Sequence, residues 1–332
     1  MVVVGHRYPL TSQPDAIEHW SLGLFPTGHI AVCIFFVISG YCVTQSEIHT
    51  SSVFSYIMKR TLRIFPGLFF ALLFTAFVVG PVVTSLTVAD YFLTPQTYYF
   101  FDYLKLYPPY HTTLPGVFMQ NPYKEANASL WTLAYEFTMY LWVIIAIFLF
   151  KSSWRWFILI FSFFFFFFCF FYEKFLGNIF VPFIHLDLFH LVDFGMYFVL
   201  GMLAYIYRHS FHFYWWGVLV ALLVWMGAYL AATTGYIPLA AIAWVRYFSI
   251  TYIILYLAFL KGTANKFGNF GDYSYGIYIY AYPIQQSIVA LLGKDLPTYQ
   301  HVFLAFVFIL PLSWMSWHYI EKPAIKLKAL FH

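Results

Sequence analysis

Residues 28–46 read GHIAVCIFFVISGYCVTQS, and positions 28–45 hold no Asp, Glu, Lys or Arg. As a helix at 1.5 Å per residue, those positions extend about 27 Å. That length suits the roughly 30 Å hydrocarbon core of a bilayer. Comparable apolar runs recur at 64–84, 129–150, 155–172, 187–207, 212–232, 238–260, 272–293 and 299–320. The run 1–6 (MVVVGH) is apolar from the first residue, with no basic flank and no cleavage pattern before it. It is expected to be the outer end of a further helix whose start lies upstream of Met1. The expected fold is an all-α polytopic membrane bundle of about ten transmembrane helices, forming one domain over 1–332, with no soluble domain after the last span.

The whole chain agrees with this reading. Of 332 residues, 62% are hydrophobic, 9% are charged, and the mean hydropathy is +0.75. Soluble domains carry about 25% charged residues. Surface outgrows what a core of this size can hide, so lipid is the expected solvent for much of the exterior. The net charge of +4 is small and its basic residues are scattered, which gives nucleic-acid binding no support. Cys33, Cys42 and Cys169 lie in apolar stretches without metal-ligand spacing or a disulfide framework, and no metal is expected. The Phe-rich run 163–171 reads as lipid-facing filler.

Lysine and arginine set the orientation. Lys59, Arg60, Arg63, Lys151, Arg155, Arg208, Lys261, Lys266, Lys322, Lys326 and Lys328 fall on one side. Only Arg7, Lys105, Lys124, Lys174 and Lys294 fall on the other, with Arg246 inside a span. The first side is read as cytoplasmic, with both chain ends inside and a plasma (inner) membrane as the location. The segment 85–128, which includes TPQTYYFFDYLKLYPPYH, then lies outside as a long loop without regular structure. Its aromatic rings suit sugar faces and the headgroup belt equally well.

Ionisable groups at membrane depth are expensive, so function is the default hypothesis for them. His6, Glu136, Asp193 and Arg246 sit on four different helices, each roughly 10–12 Å below the outer surface by helical rise, His6 nearest it. For Asp193 and Arg246, a buried ion pair that fixes helix packing competes with substrate binding. For His6 with Glu136, chemistry is the expectation: a neutral imidazole can take a hydroxyl proton, and a carboxylate can orient it. At the cytoplasmic end of the span 64–84, Lys59 precedes Arg60 and Arg63, which share one helical face at i, i+3. That cluster suits either ordinary anchoring or phosphates.

Six segments, in order, resemble the integral-membrane acyltransferase family three, which includes O-antigen, exopolysaccharide and Nod-factor O-acetyltransferases. VVVGHRYPLT looks like the end of its first helix, with His6 as the family histidine. GHIAVCIFFVISGYCVTQS carries its FFxxSG core at Phe35, Phe36, Ser39 and Gly40. RTLRIFPG matches an Arg-x-x-Arg element through Arg60, Arg63 and Pro66. NASLWTLAYEFTMY matches SLWTLxxE through Ser129, Leu130, Trp131, Thr132 and Glu136. FGDYSYGIYIYAYPIQ matches SYGIYL through Ser274, Tyr275, Gly276 and Tyr278. YIEKP matches the closing element through Glu321, Lys322 and Pro323.

The sequence departs from the family at several points. The arginine that the family carries upstream of its histidine has no counterpart here. Ala31 and Cys33 stand where many members have glycine and an acidic residue, and Ala281 replaces a histidine. The resemblance implies transfer of an acyl group, most often acetyl, from acyl-CoA, with no permanently bound cofactor. Lys59, Arg60 and Arg63 would hold the CoA phosphates. His6, oriented by Glu136, would deprotonate the carbohydrate acceptor. Asn127, Trp131, Asp193 and Arg246 would contact that acceptor. The lipid bilayer, acyl-CoA and a carbohydrate are the expected partners. A transporter or flippase for a glycan or lipid-linked substrate is the competing class, although broken helices and inverted repeats are absent, and an inactive truncated family member is the other alternative.

Overall fold

The computed structural model describes residues 1–21, 23–47, 52–145, 180–237, 239–260 and 271–331. The expected span 155–172, the Phe-rich run, and Lys151, Arg155, Lys174, Lys261, Lys266 and Cys169 lie outside the described residues. The principal helices are α1 (Val2–Leu10), α2 (Thr27–Glu47), α3 (Val53–Phe74), α4 (Thr132–Ile144), α5 (Leu188–Ile206), α6 (Trp215–Thr233), α7 (Leu239–Phe259), α8 (Ser274–Leu292) and α9 (Thr298–Ser316). A single hairpin, Phe180–Val181 with Leu186–Asp187, is the only sheet among the described residues.

Six of the described helices are long and apolar enough to cross a membrane: Thr27–Ser46, Val53–Val83, Leu188–Ile206, Trp215–Thr233, Ile242–Phe259 and Thr298–Ala329. The protein is therefore a multi-pass helical membrane protein, and the described residues carry six such helices where about ten were expected. One expected span, 272–293, corresponds to α8, which is 19 residues long yet not apolar enough to qualify. Its tyrosines and glutamines lower the hydropathy. They are tolerable because they are buried in protein and hydrogen-bonded. Gln285 Nε2 donates to the Val3 carbonyl at 2.7 Å, and Gln286 Nε2 donates to the Tyr123 and Glu125 carbonyls at 3.0 and 3.1 Å.

Two sequence-derived boundaries need correction. The span expected from 64 begins at Val53, so Lys59, Arg60 and Arg63 lie on α3 itself. The stretch before residue 64 is apolar apart from its cations, and Lys and Arg are good helix formers. The second correction concerns 85–128, which is not structureless. It contains helical turns at Val88–Leu93, Gln96–Tyr99 and Phe100–Lys105. The Thr87 side chain caps the first by accepting from the Asp90 amide. Tyr91 is buried and donates to the Ala76 carbonyl at 2.7 Å, which fastens the segment to the helical run after α3.

The chain forms two compact units. Unit one comprises Met1–Gly28, Ile57–Ala134 and Lys266–His332. Unit two comprises His29–Tyr56 and Tyr135–Asn265. In unit one, α8 is the central element, with Tyr282 and Val289 packed on Leu10 of α1 and on Ala128. In unit two, α5 is buried along most of its length and crosses α2 at very short range. A Cβ at Gly40 would lie 2.0 Å from the Phe198 carbonyl oxygen, and one at Gly201 would lie 2.1 Å from that of Val37. Only glycine allows this approach, the small-residue device of membrane helix pairs. By contrast α6 exposes Trp215, Trp216, Leu219, Leu223, Val224 and Leu230, an apolar exterior suited to lipid.

Candidate active site

His6 lies on α1 in unit one. Its imidazole meets the edge of the Tyr282 ring, with centroids 5.3 Å apart and planes at 79°. Its Nδ1 is buried and has no hydrogen-bond partner among the described residues. Close packing fixes α1 here, because a Cβ at Gly5 would lie 2.8 Å from the Gly28 backbone. The neighbouring Arg7 is 1% exposed. It donates to the Leu296 carbonyl at 2.9 Å and to the Gln13 side chain.

Three of the sequence segments converge in the same unit. Arg63 of RTLRIFPG pairs with Asp272 at 2.6 Å and approaches Glu321 of YIEKP at 3.4 Å. Ser316 donates to the other Glu321 oxygen at 2.7 Å. Tyr275 of SYGIYIY donates its hydroxyl to the Ile64 carbonyl at 2.8 Å, and the Arg63 guanidinium lies 5.6 Å from its ring centroid. Arg63 is thus neutralised by two carboxylates, a different setting from an open cation awaiting phosphate. Lys59 and Arg60 are half-buried on the same helix.

Asn127 is fully buried, and both ends of its amide are used. Its Nδ2 donates to the Ile279 carbonyl at 2.8 Å, and its Oδ1 accepts from Ser129 at 2.6 Å. Tyr278 donates to the Ser129 carbonyl and contacts the Thr132 hydroxyl. In this setting Asn127 ties the SLWTL turn to α8. Trp131 is half-buried on that turn.

The segment 85–128 holds an electrostatic knot. Asp102 binds Lys105 at 2.6 Å and His111 at 2.9 Å. The Lys105 hydrogen bond, helped by His111, holds its carboxyl below the usual carboxylate value. Burial pushes the Tyr103 and Tyr110 phenols up, so both stay neutral. Their rings lie 4.3 Å apart, while Tyr98, Tyr99 and Tyr123 are exposed.

Unit two contains the charged residues of α4, α5 and α7. Asp193 on α5 is 2% exposed. Its Oδ1 accepts from Arg246 at 2.7 Å and from the Tyr247 hydroxyl at 2.8 Å, both on α7. The pairing of Asp193 with Arg246 considered from the sequence is present. A third neighbour was not singled out there: His29 Nε2 lies 3.1 Å from Asp193 Oδ2, beside the buried Cys33. His29 and Cys33 stand at i, i+4 on one face of α2, the signal that could have drawn them together. Asp193 is too distant in sequence for any motif to include it. Glu136, also buried, accepts a hydrogen bond from Tyr140 one turn along α4. His6 belongs to unit one, and Glu136, Asp193 and Arg246 belong to unit two.

Residues 1–318 match the acyltransferase domain family. A protein of Shigella phage Sf6 named O-acetyl transferase is 30% identical, covering 97% of this chain and 91% of its own length. Nodulation protein 10 of Rhizobium leguminosarum bv. viciae is 27% identical over 90% of this chain and 82% of its own length. No solved structure gives a significant match.

Proposed function

The chain belongs to that acyltransferase family, and on this premise we propose that it moves an acyl group, expected to be acetyl, from acyl-CoA to a hydroxyl of a surface or secreted glycan. The observation that carries the reading is likeness along nearly the whole chain to a relative named O-acetyl transferase. That leaves no large region free for an unrelated transport function. Lys59, Arg60 and Arg63 supply positive charge for the donor phosphates, with both chain ends cytoplasmic in an inner membrane. Arg63 would exchange one of its carboxylates for a phosphate oxygen.

His6 acts as the base. It takes the acceptor hydroxyl proton, the oxygen bonds to the thioester carbonyl carbon, the C–S bond breaks, and the thiolate leaves to take up a proton. A half-buried imidazole whose Nδ1 has no hydrogen-bond partner among the described residues suits that step. Glu136 retains its role as the assisting carboxylate from the sequence argument, and Trp131 with the exposed tyrosines supports sugar stacking. The test is turnover of acetyl-CoA by purified protein in liposomes, with and without an oligosaccharide acceptor. Acceptor-dependent CoA release with acetyl on the sugar is expected. Release that never depends on any glycan acceptor would remove the carbohydrate assignment.

A further inference from the structure

We infer that His29, Cys33 and Asp193 form a binding site for a zinc-class divalent cation, independent of the acyl-transfer reading. Their imidazole nitrogen, thiol sulfur and carboxylate oxygen all lie within 4.8 Å of one another. This donor set, one N, one S and one O, is what Zn²⁺ accepts in tetrahedral sites with an open fourth position.

His29 Nε2 and Asp193 Oδ2 are both buried and approach to 3.1 Å. An ion pair alone would account for that approach; the Cys33 thiol in the same cluster is what points to a metal. With bonds of about 2.0–2.2 Å and tetrahedral angles, an N and an O ligand stand about 3.4 Å apart. The sulfur needs to come within about 3.6 Å of the nitrogen. The gap left for rotation of the Cys33 side chain to close is at most about 1.2 Å, since no pair of donors is more than 4.8 Å apart.

The surroundings suit a rigid site. Asp193 turns Oδ1 to Arg246 and Tyr247, which fixes the carboxylate and leaves Oδ2 facing the other two donors. The glycine contacts at Gly40 and Gly201 lock α2 against α5. His29 is 21% exposed and offers a route of entry, while Asp193 and Cys33 are buried. Arg246 opposes a cation, so charge balance has to be met. A dication with Arg246, set against a thiolate and a carboxylate, leaves one excess positive charge. The fourth ligand is then an oxygen anion, hydroxide or a carboxylate or alkoxide of a bound molecule.

The experiment uses the full chain purified in detergent without chelator or affinity metal. Elemental analysis is expected to give close to one zinc per chain. Cobalt substitution is expected to give a thiolate-to-cobalt charge-transfer band. Cys33→Ser is expected to lose the band, His29→Ala to lose the metal, and Cys42→Ser to keep both. Metal-free protein that binds added Zn²⁺ no better than the Cys33→Ser/His29→Ala double variant would overturn the site. It would leave His29 and Asp193 as a bare ion pair. If the variants fail to fold, wild-type protein that carries no zinc and gives no thiolate-to-cobalt band on titration would overturn the site by itself.

Discussion

Replacing Gly40 by alanine tests the helix crossing that organises unit two. The new Cβ would sit 2.0 Å from the Phe198 carbonyl oxygen and 2.9 Å from its carbon, where ordinary contact begins at 3.4 Å. The colliding group is backbone and cannot swing away, so α2 and α5 must part by about 1.4 Å at their closest point. Parting them weakens the Phe36–Phe194 stack, now at 4.9 Å and 7°. Over-packing a tight core costs about 1–3 kcal/mol, and a clash with backbone belongs at the upper end. Against this, Gly→Ala in a helix gains up to about 1 kcal/mol. A net loss of about 2 kcal/mol is expected. Gly227 in α6 has nothing within 4 Å of its would-be Cβ, so Gly227→Ala keeps only the propensity gain. The same substitution should therefore change thermal stability in opposite directions at the two sites. Melting of detergent-purified protein followed by tryptophan fluorescence reads this directly. A Gly40→Ala protein as stable as wild type would refute the close crossing.

Three further outcomes follow from the same contacts. In metal-free protein, Arg246→Met leaves the buried Asp193 with His29 but without its guanidinium and should cost about 3–5 kcal/mol, while Asp193→Leu/Arg246→Met should recover most of it; equal melting of single and double variants would show that the two are uncoupled. Arg63→Ala strips a cation from the buried Glu321, and Glu321→Gln in that background should restore stability, because a neutral amide needs no counter-charge. Asp102 has a depressed folded-state pKa, so its stabilisation is present above the unfolded carboxylate value and fades as pH falls through the folded one. Limited proteolysis within 85–128 should therefore increase below that range, and Asp102→Asn should show the increase already at neutral pH. Cleavage that does not change with pH would contradict the Lys105–His111 knot.

Hydropathy exposed most of the helical plan because length and apolarity are local properties. Residues 188–206 and 215–233 form helices within a few residues of the expected spans for that reason. The Asp193–Arg246 pair was also legible, since a charge at membrane depth needs a partner and few candidates existed. The start of α3 was not, because a hydropathy count stops at Lys59 while the helix continues through it. The order within 85–128 was hidden by its tyrosines, which signal loop or interface in sequence but act here as buried anchors, as Tyr91 and Tyr103 do. His29 was overlooked because a lone histidine at a helix start gains meaning only from Asp193, a residue on another helix.

The short motifs share a physical origin, and it separates folding from chemistry. Gly40 accommodates Phe198, Gly67 the Tyr275 ring, and Gly276 the Ser313 backbone, while Glu321 holds Arg63 and Asn127 holds Ile279. Each is one half of a helix-to-helix contact, so loss of activity on substituting any of them is ambiguous. His6 differs. Its ring touches Tyr282 edge-on, and its Nδ1 has no hydrogen-bond partner among the described residues. Removing it breaks no described hydrogen bond at that nitrogen. His6→Asn, which keeps a polar group of similar reach, should melt within about 1 kcal/mol of wild type and yet abolish acyl transfer. Asn127→Ala, by contrast, should lose stability and activity together, because it removes the side-chain donor to the buried Ile279 carbonyl and the shorter acceptor of Ser129. An active His6→Asn enzyme would move the base elsewhere, and a His6→Asn protein that unfolds would return this histidine to the class of packing residues.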